Sequence, residues 1–293
     1  MIPYATFHQI KAELPDMGTA VTDWDAQMRR LAERASRMID RLTGRTFWPS
    51  YETRYFEGNG EADLWIPDLM EVGSIAMSDD SGVTYTALAA TDYYTLGGDR
   101  LEYSATPIRI LRMNQNSDGD YTYWYTGQRS VRVVGWWGWH DDYGNAWRDS
   151  QDTVEDNPLT AVATTVTVND ADGADLWGET PRFQVGQLVK AGSEQMLVRV
   201  VTAAATNTLA VSRGQNGTTA AEHAQNVALY VWQPAEVVRQ AVIIQAARWF
   251  KRGQQAYQDT GAAAELGQMT YTQKLDPEIQ AMLYDAGLRR VTV

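Results

Sequence analysis

Side chains that could carry out catalysis or hold a metal are few in this chain, and they are widely separated. The histidines His8, His140 and His223 lie far apart, and no pair has the spacing of a zinc-binding helix motif. No serine stands in a GxSxG elbow, and no GxxxxGKS or GxxxxGKT segment is present to cradle phosphates. Cysteine is absent, so thiolate metal sites and disulfides are excluded. The sequence therefore predicts a protein that is not an enzyme and that holds no cofactor or metal.

Two acidic segments have part of the spacing of a calcium-binding loop. In the first, Asp170 and Asp172 occupy the third and fifth loop positions and Glu179 the twelfth, but Val168 stands at the first position and has no ligating group. The second segment, NSDGD at 116–120, lacks an acid at its twelfth position. Both segments are interpreted as polar turns.

Tryptophans are concentrated in residues 131–139, which read VRVVGWWGW and are predicted to form a strand. Trp136, Trp137 and Trp139 could line a platform for sugar rings, which leaves a carbohydrate-binding or carbohydrate-active protein as the alternative function. Because Trp136 and Trp137 point to opposite faces of a strand, packing in a core and at an interface accounts for them more simply.

Composition limits the class of protein further. A chain of 293 residues has room for about two domains. Its net charge of −12 makes it a poor general binder of DNA unless its basic residues cluster on one face, because affinity for the duplex comes largely from Lys and Arg on phosphates. The 11 Trp and 15 Tyr suit interfaces, since these side chains combine apolar area with a polar group. No signal peptide is visible, and no apolar run is long enough to span a membrane.

The clearest predicted helix covers residues 22–43. Thr22 is expected to cap its start, with Asp25 in the capping-box position, and Gly44 is expected to end it. Large apolar residues recur at helical spacing along one stripe: Trp24, Met28, Leu31, Ala35, Met38 and Leu42. Arginines fill much of the remaining surface: Arg29, Arg30, Arg34, Arg37 and Arg41. This basic face is either solvated or paired with the acidic surface of a neighbouring subunit.

The order of the other predicted elements indicates an α+β protein. Short strands between residues 46 and 137 predict a small antiparallel sheet. Alternating segments between 160 and 232 predict an all-β barrel or sandwich. Pro234 opens a second long helix, at 235–252, that ends in basic residues.

The end of the chain is predicted to be irregular apart from one short helix. Residues 253–275 are polar, with small residues and no large apolar stripe, which predicts a mobile loop or a segment ordered only by a partner. Asp276 is expected to cap a last helix over 277–285, with Pro277 at its first position.

Several stretches, taken together and in order, resemble the head–tail connector (adaptor) proteins of tailed bacteriophages. They are LAERASRMIDRLTGRTFWP, TRYFEG, LWIPDLMEVGSIAM, VRVVGWWGW, PAEVVRQAVIIQAARWFKR and LDPEIQAMLYDAGLRR. The resemblance covers residues 4–140 and 234–290, and the chain departs from the family pattern at about 150–232. It implies a helical connector core with a small antiparallel sheet, formed by residues 1–145 and 233–293, and an inserted all-β domain at 150–232.

The resemblance also implies a function. Such proteins are structural virion proteins that form a ring of about twelve copies beneath the portal and extend the DNA channel. The implied partners are the portal protein and a tail-side neck or tail-terminator protein. Double-stranded DNA passes through without specific binding, because an acidic wall repels phosphate. The implied location is the head–tail junction of the virion, reached from the host cytoplasm during assembly, without a membrane partner.

Two groups of site residues follow from this interpretation. The ring wall between subunits is predicted to include Trp24, Arg30, Arg34, Arg37 and Arg41. Docking to the portal is assigned to the end of the chain, at Leu288, Arg289, Arg290 and Val291, whose residues could add a strand or hook to a partner.

Overall fold

The described part of the protein is mostly β-structure, with two large antiparallel sheets, a two-stranded ribbon and four α-helices. The computed structural model describes residues 2–14, 22–98, 100–116, 121–254, 260–263, 267–270 and 276–288. Helices account for only about 22% of the structure, and neither sheet is closed. By contacts the chain divides into two units. The first unit comprises Met1–Gly44, Trp147–Gln215 and Thr219–Val293, and the second unit comprises Arg45–Ala146 and Asn216–Thr218.

The predicted fold class, α+β with a helical connector core and a small antiparallel sheet, is wrong. The apolar clusters of the two large sheets consist of strand and loop residues, with no helical residue in either. The short strands between residues 50 and 137 form a wide sheet with an apolar core of its own. This part of the chain therefore does not fold around the helices. A barrel or sandwich was expected for the β module, but in the residues that the structure describes its strands form one open six-stranded sheet. The predicted division at residues 145 and 233 stays a prediction.

The second unit contains a seven-stranded sheet with the strand order β1-β7-β2-β6-β4-β5, and β3 pairs with β2. Its strands are β1 (Ser50–Gly58), β2 (Asp63–Met77), β3 (Thr86–Ala87), β4 (Tyr93–Gly97), β5 (Glu102–Tyr103), β6 (Ile108–Met113) and β7 (Gly127–Trp137). Strand β7 lies between β1 and β2 and alternates buried with half-buried residues from Val131 onward, as a strand with two different faces requires.

Glycine has a steric role in the GWWGW segment at the end of β7. A Cβ at Gly135 would lie 2.3 Å from the carbonyl oxygen of Glu71 on the paired strand β2. Gly138 has a φ of +140°, and a Cβ there would lie 2.4 Å from the carbonyl oxygen of Trp48. Only glycine lets the backbones approach this closely, and at Gly138 it also adopts the required φ without strain.

The first unit contains the six-stranded sheet, with the strand order β8-β13-β10-β11-β12-β9. Its strands are β8 (Trp147–Thr153), β9 (Thr165–Val168), β10 (Leu188–Ala191), β11 (Glu194–Thr202), β12 (Asn207–Ser212) and β13 (Ala228–Trp232). A separate two-stranded ribbon pairs β14 (Thr260–Ala263) with β15 (Gly267–Thr270). Val189, Val198 and Val231 are among the fully buried residues that form the apolar core of the six-stranded sheet.

The first unit also contains α1 (Phe7–Ala12), α2 (Asp25–Thr43), α3 (Glu236–Gln254) and α4 (Pro277–Asp285). The ends of two helices confirm the predicted capping. Gly44 ends α2 in the left-handed conformation, and the Asp276 side chain caps α4, with Pro277 as its first residue. The start of α2 differs from prediction, because the helix begins at Asp25 and its N-cap, Trp24, makes no side-chain capping hydrogen bond. None of the described helices is long and apolar enough to span a lipid bilayer.

Candidate subunit interface

Helix α2 places its small residues toward the protein and its arginines outward. Its buried residues are Met28, Ala32, Ala35, Ser36, Ile39 and Thr43. Only Met28 and Ala35 of the predicted apolar stripe belong to this set, while Leu31, Met38 and Leu42 are half-buried and Trp24 is exposed. Relative to the predicted apolar stripe, the buried face of α2 is therefore rotated toward the small residues of the helix. There the Ser36 hydroxyl donates to the Ala32 carbonyl (2.8 Å) and accepts from the Tyr4 amide (2.9 Å).

The predicted ring-wall arginines form one row along α2. Arg30, Arg34, Arg37 and Arg41 are spaced by four, three and four residues, so they lie on one face over about 16 Å. Arg30, Arg34 and Arg41 are exposed, and Arg37 is half-buried. Within the described part of the chain, none of the four forms an ion pair. In a chain with a net charge of −12, this row concentrates positive charge on one face of α2.

Two aromatic contacts fix this row on helix α3. The guanidinium of Arg34 lies over the indole of Trp249, 4.3 Å from the ring centroid. Trp24, at the start of α2, meets Phe250 edge-on, with ring centroids 5.7 Å apart. These contacts hold α2, and with it the arginine face, in a defined orientation on α3.

A titratable carboxyl group lies beside the arginine row. The Tyr4 hydroxyl donates a 2.6 Å hydrogen bond to Oδ1 of Asp40. Burial raises the pKa of Asp40 to about 6, while the hydrogen bond from Tyr4 and the charge of Arg37 act in the opposite direction. The charge of this helix face therefore changes near pH 6.

The predicted portal-docking residues are described only in part. Leu288 is buried, and its amide donates a 2.9 Å hydrogen bond to the carbonyl of Leu283 in α4. Leu288 therefore completes the packing of the last helix and offers no exposed side chain. Arg289, Arg290 and Val291 lie outside the described residues.

The calcium-like turn uses its carboxylate within the protein. Oδ1 of Asp170 accepts hydrogen bonds from the amides of Asp172 (3.3 Å) and Gly173 (3.0 Å), and Oδ2 pairs with Arg182 at 3.2 Å. The Gly173 hydrogen bond is the main cause of a lowered Asp170 pKa. Over the described ranges, no group of three or more His, Asp or Glu side chains is placed to hold a metal ion. Most of the second turn, 116–120, lies outside those ranges.

The tryptophans of the GWWGW segment do not form an exposed platform. Trp137 and Trp139 are buried, and Trp136 is half-buried with its ring tilted against Tyr51 at a centroid distance of 5.0 Å. The indole of Trp137 donates a 3.0 Å hydrogen bond to the carbonyl of Glu52 across the β1–β7 pair. The side chains on which the sugar alternative was based are therefore largely structural.

One buried charged cluster was not predicted. Glu194 accepts paired hydrogen bonds from Arg213 (2.6 and 2.7 Å), and it also accepts from the amides of Gly214 (3.1 Å) and Ala221 (3.0 Å). His223 lies 2.8 Å from the same carboxylate. Burial alone would raise the pKa of Glu194, but these hydrogen bonds outweigh burial and lower the pKa to about 2. The cluster holds the connection between β12 and β13 against the start of β11, which is a structural role.

No model of a known protein family matches this chain, and the curated proteins compared with it give no match either. The resemblance to phage connectors therefore rests on the sequence stretches quoted above.

Proposed function

We propose that this protein is a structural virion subunit that assembles into a head–tail connector ring beneath the portal of a tailed phage. The observation that carries the proposal is the row of arginines on α2. Arg30, Arg34 and Arg41 are exposed, Arg34 is packed on α3, and the row has no intramolecular ion pair in the described structure. Arginine is favoured at protein interfaces because its planar group pairs with carboxylates and stacks on rings. The order of the connector-like sequence stretches provides the context.

A ring requires two different faces on each subunit, which meet head to tail around the symmetry axis. In this proposal Arg30, Arg34 and Arg41 form one of these faces and contact acidic surface on the next copy. The net charge of −12 suits the remaining surface to a channel, since carboxylates repel the phosphates of passing DNA. The portal above and a tail-side neck or terminator protein below are the proposed partners.

Sedimentation with the portal protein encoded in the same genome tests this function. The wild-type chain is expected to migrate with the portal as a large complex. The double variant Arg30→Glu and Arg41→Glu is expected to remain slow, because like charges then face each other across the subunit boundary.

A matched control reverses two exposed arginines elsewhere, Arg100→Glu and Arg199→Glu, and changes the net charge by the same amount. This control is expected to assemble like the wild type. A wild-type chain that never joins the portal would refute the function, whereas equal behaviour of the two double variants would refute the assignment of the interface.

A further inference from the structure

A row of aromatic and apolar side chains with exposed ends crosses four strands of the seven-stranded sheet. Trp65 on β2 is opposite Ile110 on β6, Ile110 is opposite Leu96 on β4, and Leu96 is opposite Tyr103 on β5. Residues opposite each other in paired strands share a face, so these four side chains form one line. The line spans three strand spacings, about 14 Å.

The outer members of this line are unusually exposed for their size. Trp65 is 63% exposed and Tyr103 is 59% exposed, while Ile110 and Leu96 are buried between them. Tyr94, which is 45% exposed, meets Tyr103 edge-on at a centroid distance of 5.5 Å. Clustered exposed aromatics of this kind mark a place where another molecule binds.

A polar row runs beside the aromatic one. Asp63, Arg112 and Tyr94 are opposite one another on β2, β6 and β4. Arg112 donates two 2.6 Å hydrogen bonds to the Asp63 carboxylate and a 3.2 Å hydrogen bond to the Tyr103 hydroxyl. The carboxylate and the guanidinium are thus held in fixed positions next to the aromatic rings. These side chains line a groove of about 680 Å³, which Asn116 also lines.

We propose that this groove binds a neutral oligosaccharide. A sugar ring has an apolar C–H face that packs on an aromatic ring, and it has hydroxyl groups around its edge that need hydrogen-bond partners. The groove supplies both, because Trp65, Tyr94 and Tyr103 provide apolar surface while Asp63 and Arg112 provide fixed acceptors and donors. Side chains already held by each other bind hydroxyl groups at low entropic cost.

The charges of the groove disfavour nucleic acid. Single-stranded DNA or RNA binds where aromatic rings are combined with a positively charged track for phosphates. Here the lining contains two carboxylates, Glu61 and Asp63, against the single guanidinium of Arg112. A polyanion would be repelled, whereas an uncharged sugar would not.

An apolar protein partner also fits poorly. Covering this groove with apolar side chains would remove the Asp63–Arg112 pair from water, and the loss of hydration of two charges offsets much of the gain from burying the rings. A hydroxyl-rich ligand avoids that loss because it replaces the water with new hydrogen bonds.

Calorimetric titration of the full chain with three neutral hexasaccharides, cellohexaose, chitohexaose and maltohexaose, tests the proposal. At least one is expected to bind with a Kd of about 1 mM or tighter. Trp65→Ala is expected to weaken that binding at least about tenfold, which corresponds to about 1.4 kcal/mol. Trp177→Ala, which removes a tryptophan that is 75% exposed elsewhere, is the matched control and is expected to leave binding unchanged.

The melting temperature of each variant shows that it is folded, and Tyr103→Ala repeats the test should Trp65→Ala unfold. No binding by any of the three sugars, or equal binding by Trp65→Ala and the wild type, would overturn the proposal. Dissociation of assembled rings by Trp65→Ala without sugar binding would also overturn it, and would make this surface a subunit contact. Ring formation on the portal is measured separately, so failure of the sugar site leaves the connector function standing.

Discussion

The guanidinium of Arg34 lies 4.3 Å above the indole of Trp249, so a residue of the exposed α2 row is packed on the neighbouring helix α3. Arg34 is therefore both part of the candidate interface and part of the contact between the two helices. Its neighbours Arg30 and Arg41 are exposed and have no such contact among the described residues. If α2 forms the proposed interface, substitution of Arg34 is therefore expected to affect stability and assembly together, whereas substitution of Arg30 or Arg41 is expected to affect assembly alone.

A double-mutant cycle measures the Arg34–Trp249 contact. Arg34→Ala and Trp249→Leu are each expected to lower the free energy of unfolding, and the coupling between them should be about 0.5–1 kcal/mol. Urea denaturation of the two single variants and the double variant gives the coupling energy. Strictly additive effects would show that the two side chains do not interact. Arg30→Ala paired with Trp249→Leu is the control and should be additive.

The Glu194 cluster is expected to be essential for the stability of its unit. Glu194→Gln leaves the buried Arg213 guanidinium without its counter-charge, which is expected to cost about 3–5 kcal/mol. Glu222→Gln removes an exposed carboxylate nearby and should change stability by less than about 0.5 kcal/mol. Chemical denaturation at pH 7 compares the two variants, and a similar small effect for both would contradict the structural role.

The lowered pKa of Glu194 also predicts a loss of stability in acid. The pKa of Glu194 is lowered from 4.5 to about 2 on folding, so its contribution is fully present above pH 4.5 and is lost as the pH falls toward 2. The wild-type melting temperature should therefore fall more steeply over this range than that of Glu194→Gln. Parallel curves for the two proteins would show that Glu194 is not stabilised in its ionised form.

The raised pKa of Asp40 predicts the opposite pH dependence of stability. Its pKa is raised from 3.8 in the unfolded chain to about 6 in the folded one, so its contribution is present below pH 3.8 and is lost as the pH rises through 6. Asp40→Asn resembles the protonated acid and keeps an oxygen for the Tyr4 hydroxyl. It should gain roughly 1 kcal/mol relative to the wild type between pH 4 and pH 7, since partial exposure screens the effect.

Thermal melts of both proteins at several pH values test the Asp40 prediction. Asp79→Asn, at an exposed position, is the control and should show no such gain. A constant difference between Asp40→Asn and the wild type across this pH range would contradict the raised pKa.

The burial of Leu288 refines the prediction that the end of the chain docks to the portal. Removal of residues 289–293 leaves this packed side chain in place, so the truncated protein should melt like the wild type. If these residues dock to the portal, the truncation should abolish portal binding in the sedimentation assay. Retained binding would show that docking occurs elsewhere. The variant Leu288→Ala should instead lower stability by about 2–5 kcal/mol through loss of buried apolar surface.

Local features could be predicted from the sequence because the residues responsible are neighbours in the chain. The glycine at the end of α2 and the Asp276 cap of α4 depend on the backbone within one turn, and both were confirmed. The orientation of α2 could not be predicted, because it depends on how closely Ala32 and Ser36 allow the rest of the protein to approach. The stripe of large apolar residues therefore shares Met28 and Ala35 with the buried face but is rotated away from its other members.

The balance of helix and sheet was mispredicted because strand pairing is non-local. Strand β1 pairs with β7, and Tyr51 is opposite Trp136, although these residues are far apart in the sequence. The alternation Leu64, Trp65, Ile66 indicates that Trp65 faces outward, but the sequence does not show which strands lie beside it. The groove with Tyr103 and the Glu194 cluster both depend on such distant pairings, so neither could be recognised from spacing.

Cryo-electron microscopy of the chain mixed with its portal protein tests the connector function most directly. The proposal predicts a ring of this protein on the portal, with the α2 arginine row of each copy against acidic surface of the next copy and DNA-sized space on the axis. A portal without bound protein, alongside a chain that stays monomeric at the same concentration, would contradict the proposed function.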